Sequence, residues 1–221
     1  MEPSLDDVLE KAAQLQELVP EAVLVGGSAA ALYARHRQSF DHDHVVADLA
    51  ERFDTILENL EALGDWSMTR AQPGKIILGD LGGIETGLRQ LLRSRPLETT
   101  DVEVRGKRLV VPTAAEILRI KAWLSLSRNQ TRDYLDIAAL ADHIGLDESA
   151  SVLTDMDDYY ADINRGSDAV ATQLVRQLAD PRPRDVDVTE QLASYKELAP
   201  RWHDWSAVKG LLADLAERMV K

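Results

Sequence analysis

The 221-residue sequence predicts an α+β protein, with a mixed α/β N-terminal domain over residues 1–112 and a helical C-terminal domain over residues 113–221. Two observations carry that prediction. Between residues 22 and 111, short apolar or alternating runs recur between glycine-rich turns, which is the pattern of strands. From Thr113 onward the texture is helical almost to the end, opening with Thr113, Ala114, Ala115 and Glu116 in the form of a capping box. A content of 45% apolar and 29% charged residues is that of an ordinary globular chain, long enough for one sizeable core with a helical annex.

The elements follow in order. Residues 4–18 read as an amphipathic helix, with Ser4 and Asp7 as a capping pair, Leu5, Val8, Leu9, Ala12 and Leu15 on one side, and Pro20 beyond its end. Residues 22–25 are a buried strand stopped by Gly26 and Gly27. Ser28 stands at the N-cap of a short helix of Ala29, Ala30, Ala31 and Leu32. A strand over 41–46 and a helix over 49–63 come next, the helix turning Phe53, Ile56, Leu57, Leu60 and Leu63 inward. Strands are expected at 66–70, 74–80 and 84–91, the last two joined at Gly82 and Gly83. A further hairpin pairs 102–104 with 108–111, turning at Gly106 and Lys107. The helical half divides into helices near 114–128, 131–144, 147–163, 167–179, 188–198 and 206–220, with Gly145 as a cap and Pro181 and Pro183 as a break. No repeat or low-complexity tract appears.

The chemistry concentrates between residues 22 and 48. In the strand Asp41-His42-Asp43-His44, alternate side chains point the same way, so Asp41 and Asp43 share a face. Like charges that close repel unless a cation joins them, and the pair is therefore a seat for Mg²⁺. The Gly26-Gly27 turn lets backbone approach a ligand, and the helix start behind it offers free N–H groups to phosphate. His42 and His44 fall on the opposite face and read as packed residues rather than ligands. His36, His143 and His203 lack ligand-spaced partners. Asp157, Asp158, Tyr159, Tyr160 and Asp162 read as a solvated helix face or a partner contact, and Trp202 and Trp205 as core anchors.

This ordered set (Gly26, Gly27, Ser28, Ala29, then Arg37, Ser39, Asp41, Asp43) resembles the AbiEii/AbiGii-type nucleotidyltransferases. These are relatives of DNA polymerase β that include toxins of type IV toxin–antitoxin systems. The resemblance covers roughly residues 20–140. It implies a polymerase-β-like nucleotidyltransferase domain, a mixed sheet with flanking helices, followed by the helical domain. It also implies transfer of NMP from an NTP to an acceptor hydroxyl, on a tRNA 3′ end or a protein, with a cognate antitoxin as partner.

By the same resemblance Asp41 and Asp43 hold the metal, Gly26, Gly27 and Ser28 cradle the triphosphate, and Arg37 and Ser39 bind nucleotide. A third acid is expected on a neighbouring strand, with Glu85 nominated and Asp80 its rival. A second block runs over residues 117–139 through Lys121, Arg128, Arg132, Asp133 and Asp136, with Trp123 at a position where an apolar residue is tolerated. Lys121 and Asp133 carry over as catalytic and Arg128 as nucleotide-binding. The alternative for this block is an ion-pair network that holds two helices together. For the whole chain the alternative is a nucleotidyltransferase fold that binds nucleotide or protein without turnover.

Composition bounds the partners. A net charge of −13 argues against broad electrostatic capture of nucleic acid, although residues 70–132 hold 12 Lys/Arg against 6 Asp/Glu. There is no cysteine, which suits a reducing cytoplasm. The first 30 residues lack the basic-then-apolar form of a signal peptide, and no run approaches the ~20 apolar residues of a membrane span.

Overall fold

The computed structural model describes residues 3–221 and divides the chain into two compact units. The first comprises the chain up to Leu32 together with Gln38–Thr113. The second comprises Ala114–Lys221 and also takes in Tyr33–Arg37. That short N-terminal segment departs from the expected division at residue 112. It joins the helical unit because His36 and Arg37 are buried against Asp136 there.

The first unit contains α1 (Leu5–Leu18), β1 (Val23–Val25), α2 (Gly26–Ala34, whose last residues count with the second unit), β2 (Asp41–Val46), α3 (Leu49–Glu61), β3 (Trp66–Gln72), β4 (Ile76–Leu81), β5 (Ile84–Gln90), β6 (Thr99–Val104) and β7 (Lys107–Pro112). The capping box at the start of α1 forms as expected. The Ser4 hydroxyl accepts from the Asp7 amide and the Asp7 carboxylate accepts from the Ser4 amide, at 3.2 and 3.0 Å.

Five strands make a mixed sheet in the order β1-β2-β5-β4-β3, with β2 and β5 parallel and every other pair antiparallel. One face is buried. Leu15 and Val19 of α1 and Phe53, Ile56 and Leu60 of α3 pack on Val46, Ile77, Leu81 and Leu88 of the sheet. The other face carries the alternate residues of β2 and β5, including Asp41, Asp43, Glu85 and Arg89.

β6 and β7 form a separate ribbon, tied to α1 by an amide side chain that imitates a strand. Gln16 donates to the Val110 carbonyl and accepts from the Val110 amide, at 2.8 and 2.7 Å. The turn of this ribbon is Arg105-Gly106, one residue earlier than expected. Both residues have positive φ, 49° and 79°, as a two-residue hairpin with the right twist requires. Arg105 is held there by Asp7 and Glu10 of α1.

The second unit contains α4 (Ala114–Arg128), α5 (Thr131–Ile144), α6 (Leu146–Thr154), α7 (Asp157–Tyr160), α8 (Val170–Ala179), α9 (Val186–Thr189) and α10 (Trp205–Arg218), with 3-10 turns at Leu192–Ser194 and Pro200–Trp202. α5 is its centre and is buried on nearly every side, while α10 packs on α8, α6 and α5.

Two expected helices do not form. The single helix over 147–163 is broken because Asp157 turns its carboxylate to the start of α8, accepting from the amides of Val170 and Ala171 at 2.7 and 3.1 Å. The helix over 188–198 is replaced by α9 and a 3-10 turn, and the end of that span cannot be helical because Lys196 and Glu197 adopt φ of 44° and 48°. The acidic-aromatic face is not solvated throughout. Tyr159 and Tyr160 are buried, the Arg119 guanidinium lies 3.9 Å from the Tyr159 ring centre, and Tyr160 stacks on Trp123 at 4.9 Å.

Candidate active site

The first unit brings the glycine turn and the acidic pair together. β1 and β2 are antiparallel with Val25 opposite Asp43, so the chain leaving β1 enters α2 beside the Asp43 side chain. Gly26 takes φ of 78°, which glycine adopts without strain, and a Cβ there would sit 3.3 Å from both Cβ and Oδ2 of Asp43. α2 starts at Gly26 itself. Ser28 is therefore inside the first turn and not at the N-cap as expected. Its hydroxyl is buried and donates to the Asp41 carbonyl at 2.5 Å, pinning the helix start to the acidic strand. Any contribution of Ser28 to a phosphate cradle thus comes from its backbone amide, one of the first-turn N–H groups that lack an acceptor within the helix.

Asp41 and Asp43 share the sheet face opposite the helices. The buried Ser39 hydroxyl donates to Asp41 Oδ1 at 2.9 Å and fixes that carboxylate. Between the two acids, His42 points into the core and donates from Nε2 to the Thr86 hydroxyl at 3.0 Å, and that hydroxyl donates in turn to the Ile84 carbonyl. This tie locks β2 to β5 directly beneath the acids. Burial pushes the His42 imidazole down to about 4 and His44 well below its ordinary value, so both rings are neutral. They stack edge to face at 5.2 Å, and packing is the role expected of them.

The expected third acid is placed but not joined. Register sets Glu85 directly beside Asp41 on the same face, where it is exposed. The rival, Asp80, accepts from the Gly83 amide at 2.7 Å and closes the β4–β5 turn. Among the described residues no three His, Cys, Asp or Glu side chains are grouped to hold a metal ion. The two-carboxylate seat itself fits Mg²⁺, which takes one or two protein carboxylates and completes its shell with water and substrate phosphate.

Sequence reasoning passed over two residues on this face, Gly87 and Arg89. Gly87 lies opposite Asp43, and a Cβ there would come within 2.4 Å of Asp43 Oδ1. Arg89 Nε is 3.6 Å from the same oxygen. A glycine inside a strand pattern signals close approach and was the available clue.

The second unit holds the remaining expected residues in ion pairs. Asp136 is fully buried and receives Lys121 Nζ at 2.6 Å, Arg37 Nε at 2.8 Å and His36 Nε2 at 2.7 Å. Burial alone would raise the Asp136 carboxyl, but Arg37 and Lys121, with His36 behind them, hold it well below the usual carboxylate range. Burial outweighs the pull of Asp136 on His36 and lowers its imidazole, leaving a neutral ring that donates. Arg128 forks onto buried Asp133, with Nε and Nη2 at 2.6 and 2.5 Å. Lys121 and Arg128 of α4 thus each join an aspartate of α5, which is the ion-pair network weighed as the alternative for this block.

The mixed sheet with its flanking helices is a nucleotidyltransferase-like fold, which solved structures share. The chain is similar to an antigenic nucleotidyltransferase-like protein from Paracoccidioides brasiliensis, with a TM-score of 0.53 and 17% identity over 86% of this chain and 93% of that one. It is similar to a putative nucleotidyltransferase from H. pylori, with a TM-score of 0.52 and 17% identity over 97% and 92%. It also resembles ANT(2")-Ia, solved with adenylyl-2"-tobramycin, with a TM-score of 0.50 and 12% identity over 68% and 94%.

No family model matches the sequence. In sequence the chain is 44% identical over 113 residues to the heme uptake protein MmpL11 of Mycobacterium tuberculosis, and 47% identical over 94 residues to the mycolic acid-containing lipids exporter MmpL11 of Mycolicibacterium smegmatis. The chain spans about a tenth of the length of these relatives, 11% and 10%, with 48% and 42% of its own length aligned. Among the described residues no helix is long and apolar enough to cross a membrane.

Proposed function

We propose that the chain is a nucleotidyltransferase that moves NMP from an NTP to an acceptor hydroxyl, using Asp41 and Asp43 as its metal-holding pair. The observation that carries this is local: the start of α2 and both carboxylates meet at one end of β2, joined by the Ser28–Asp41 bond and by the close approach of Gly26 to Asp43. Such transfer needs positioning and charge neutralisation more than a covalent catalyst. Mg²⁺ at the pair would neutralise charge developing on the transferred phosphoryl group. The chain's own parts do the rest. First-turn amides from Gly26 to Ser28 hold phosphate oxygens, Ser39 and the His42–Thr86 tie keep the carboxylates fixed, and Glu85, beside Asp41, is the group nearest in register to take the acceptor proton.

The acceptor is a tRNA 3′ end or a protein hydroxyl, and the role that of a cytoplasmic toxin restrained by an antitoxin, on the strength of the sequence resemblance to AbiEii/AbiGii-type enzymes. Incubation with Mg²⁺ and each labelled NTP, against total RNA and lysate protein, tests it. The expected result is pyrophosphate release with label on one acceptor class. No release with any NTP would reject transfer.

A second reading is a silent nucleotide- or protein-binding module on the same fold. Two observations favour it: the Arg89 guanidinium against Asp43, and the sequence shared with a short segment of proteins named for heme uptake and lipid export. Nucleotide binding without pyrophosphate release would select it.

A further inference from the structure

The acidic face carries a cation, Arg89, that has no part in the transfer reaction as proposed. Arg89 stands on β5 two residues beyond Gly87, and the parallel register sets Gly87 opposite Asp43 and Arg89 opposite Val45. All four therefore lie on one face. The Arg89 Nε is 3.6 Å from Asp43 Oδ1, with the two side chains 48% and 33% exposed. Gly87 makes this possible. With a Cβ at that position 2.4 Å from Oδ1, the Asp43 carboxylate would be driven off β5 and away from Arg89. A strand glycine and an arginine two places on thus form one device that aims a guanidinium at the Asp43 carboxylate.

We propose that Arg89 is an exchangeable counter-ion for the acidic pair. It neutralises Asp43 while no cation is bound, yields that oxygen to a divalent cation, and then donates to the phosphates of the incoming nucleotide. The proposal rests on the nucleotidyl-transfer reading of this site. A guanidinium and a divalent cation at one carboxylate oxygen repel each other, so one must leave. The pair is half exposed and correspondingly weak, which keeps the exchange easy. Released, the planar fork of donors matches phosphate oxygens. Cation and nucleotide are then coupled through Arg89, each favouring the other.

Calorimetric titration of Mn²⁺ alone, then of a non-hydrolysable NTP analogue at saturating Mn²⁺, tests this on the wild-type chain and on Arg89→Gln, Arg89→Lys and Asp43→Asn. Arg89→Gln is expected to bind Mn²⁺ alone roughly two- to fivefold more tightly, the scale of an exposed ion pair. The same variant should bind the nucleotide roughly tenfold more weakly, the scale of a lost charge-assisted hydrogen bond. Arg89→Lys, which keeps the charge, should stay near wild type for Mn²⁺. An unchanged or weaker Mn²⁺ affinity in Arg89→Gln, or an unchanged nucleotide affinity, overturns the proposal. If Asp43→Asn loses Mn²⁺ while Arg89→Gln is unaltered, the counter-ion role alone fails. If Asp43→Asn binds Mn²⁺ as wild type does, the metal site fails with it.

Discussion

Both units set aspartates among cations, and they do so to opposite ends. In the helical unit Asp136 is sealed from solvent with Lys121, Arg37 and His36 around it. In the sheet unit Asp43 keeps a third of its side chain exposed and meets Arg89 across 3.6 Å. Buried charges persist only when paired and hydrogen-bonded, so the first arrangement ties α4, α5 and the Tyr33–Arg37 segment together. The second leaves charge where a cation can reach it. The residue type is the same, and burial with its partners separates a sealed aspartate from one that a cation can reach.

The sharpest way to break that contrast is to neutralise one exposed acid. Asp41→Asn or Asp43→Asn keeps the shape and removes half the charge that holds the cation. Transfer should fall by several orders of magnitude, about 4 kcal/mol or more of lost transition-state stabilisation. Melting temperature should hold, because relief of the repulsion between the two acids offsets the weak ties to Ser39 and Arg89, and the Mg²⁺-induced rise should vanish. A clear loss of stability that ignores Mg²⁺ would make the pair structural and favour the binding module.

The buried acid should respond in the reverse sense. Asp136→Asn leaves Lys121 and Arg37 facing a neutral partner inside the helical unit. Urea unfolding should show a loss of about 3–5 kcal/mol, the cost of stranding buried charge. An Asp136→Asn chain of wild-type stability but without transfer would move this cluster from scaffold to chemistry.

The sequence announced one of these environments better than the other. Period-2 alternation placed Asp41 and Asp43 on one face and His42 and His44 on the other, because a strand's geometry follows from local sequence alone. Glycines marked the turns for the same reason. Burial around Asp136 was not legible, since its partners His36 and Arg37 stand 100 and 99 residues away in the chain and only tertiary packing brings them together. The break between α6 and α7 was hidden likewise, as the carboxylate of Asp157 caps a helix 13 residues on. Ser28 reads as a cap in sequence, and only the register of β2 shows its hydroxyl turned inward to Asp41.

Histidine burial gives a pH test of the same contrast, applied to the core beneath the site. His42 has a folded value of about 4 against an ordinary 6.5, and burial lowers His44 and His36 as well. Between pH 4 and 6.5 the unfolded chain binds more protons than the folded one. Stability is therefore complete above about pH 6.5 and declines as pH falls toward 4, by about 3 kcal/mol from His42 alone. Asp136, whose value is also depressed, adds its loss only at lower pH, below the ordinary carboxylate range. Urea midpoints from pH 7.5 to 4 measure this. A flat profile would mean that these imidazoles are solvated and the sheet core looser than its packing indicates.

The smallest expected effect separates positioning from binding at the start of α2. Ser28 is 1% exposed, and its hydroxyl donates to the Asp41 carbonyl at 2.5 Å, so it faces the strand and not a ligand. Ser28→Ala should cost about 1 kcal/mol of stability, the net worth of one intramolecular hydrogen bond. The backbone amides proposed to meet phosphate remain, so the affinity for an NTP analogue should be unchanged. What shifts is the placement of Asp41 against those amides, and a small displacement of a reacting group lowers turnover more than binding. The maximal rate should fall roughly tenfold with KM unaltered. A raised KM with wild-type stability would instead put the hydroxyl on the nucleotide, against the hydrogen bond seen here. Lost stability with an unchanged rate would make the Ser28–Asp41 bond a brace for the sheet, with the carboxylates positioned by Ser39 and Thr86 alone.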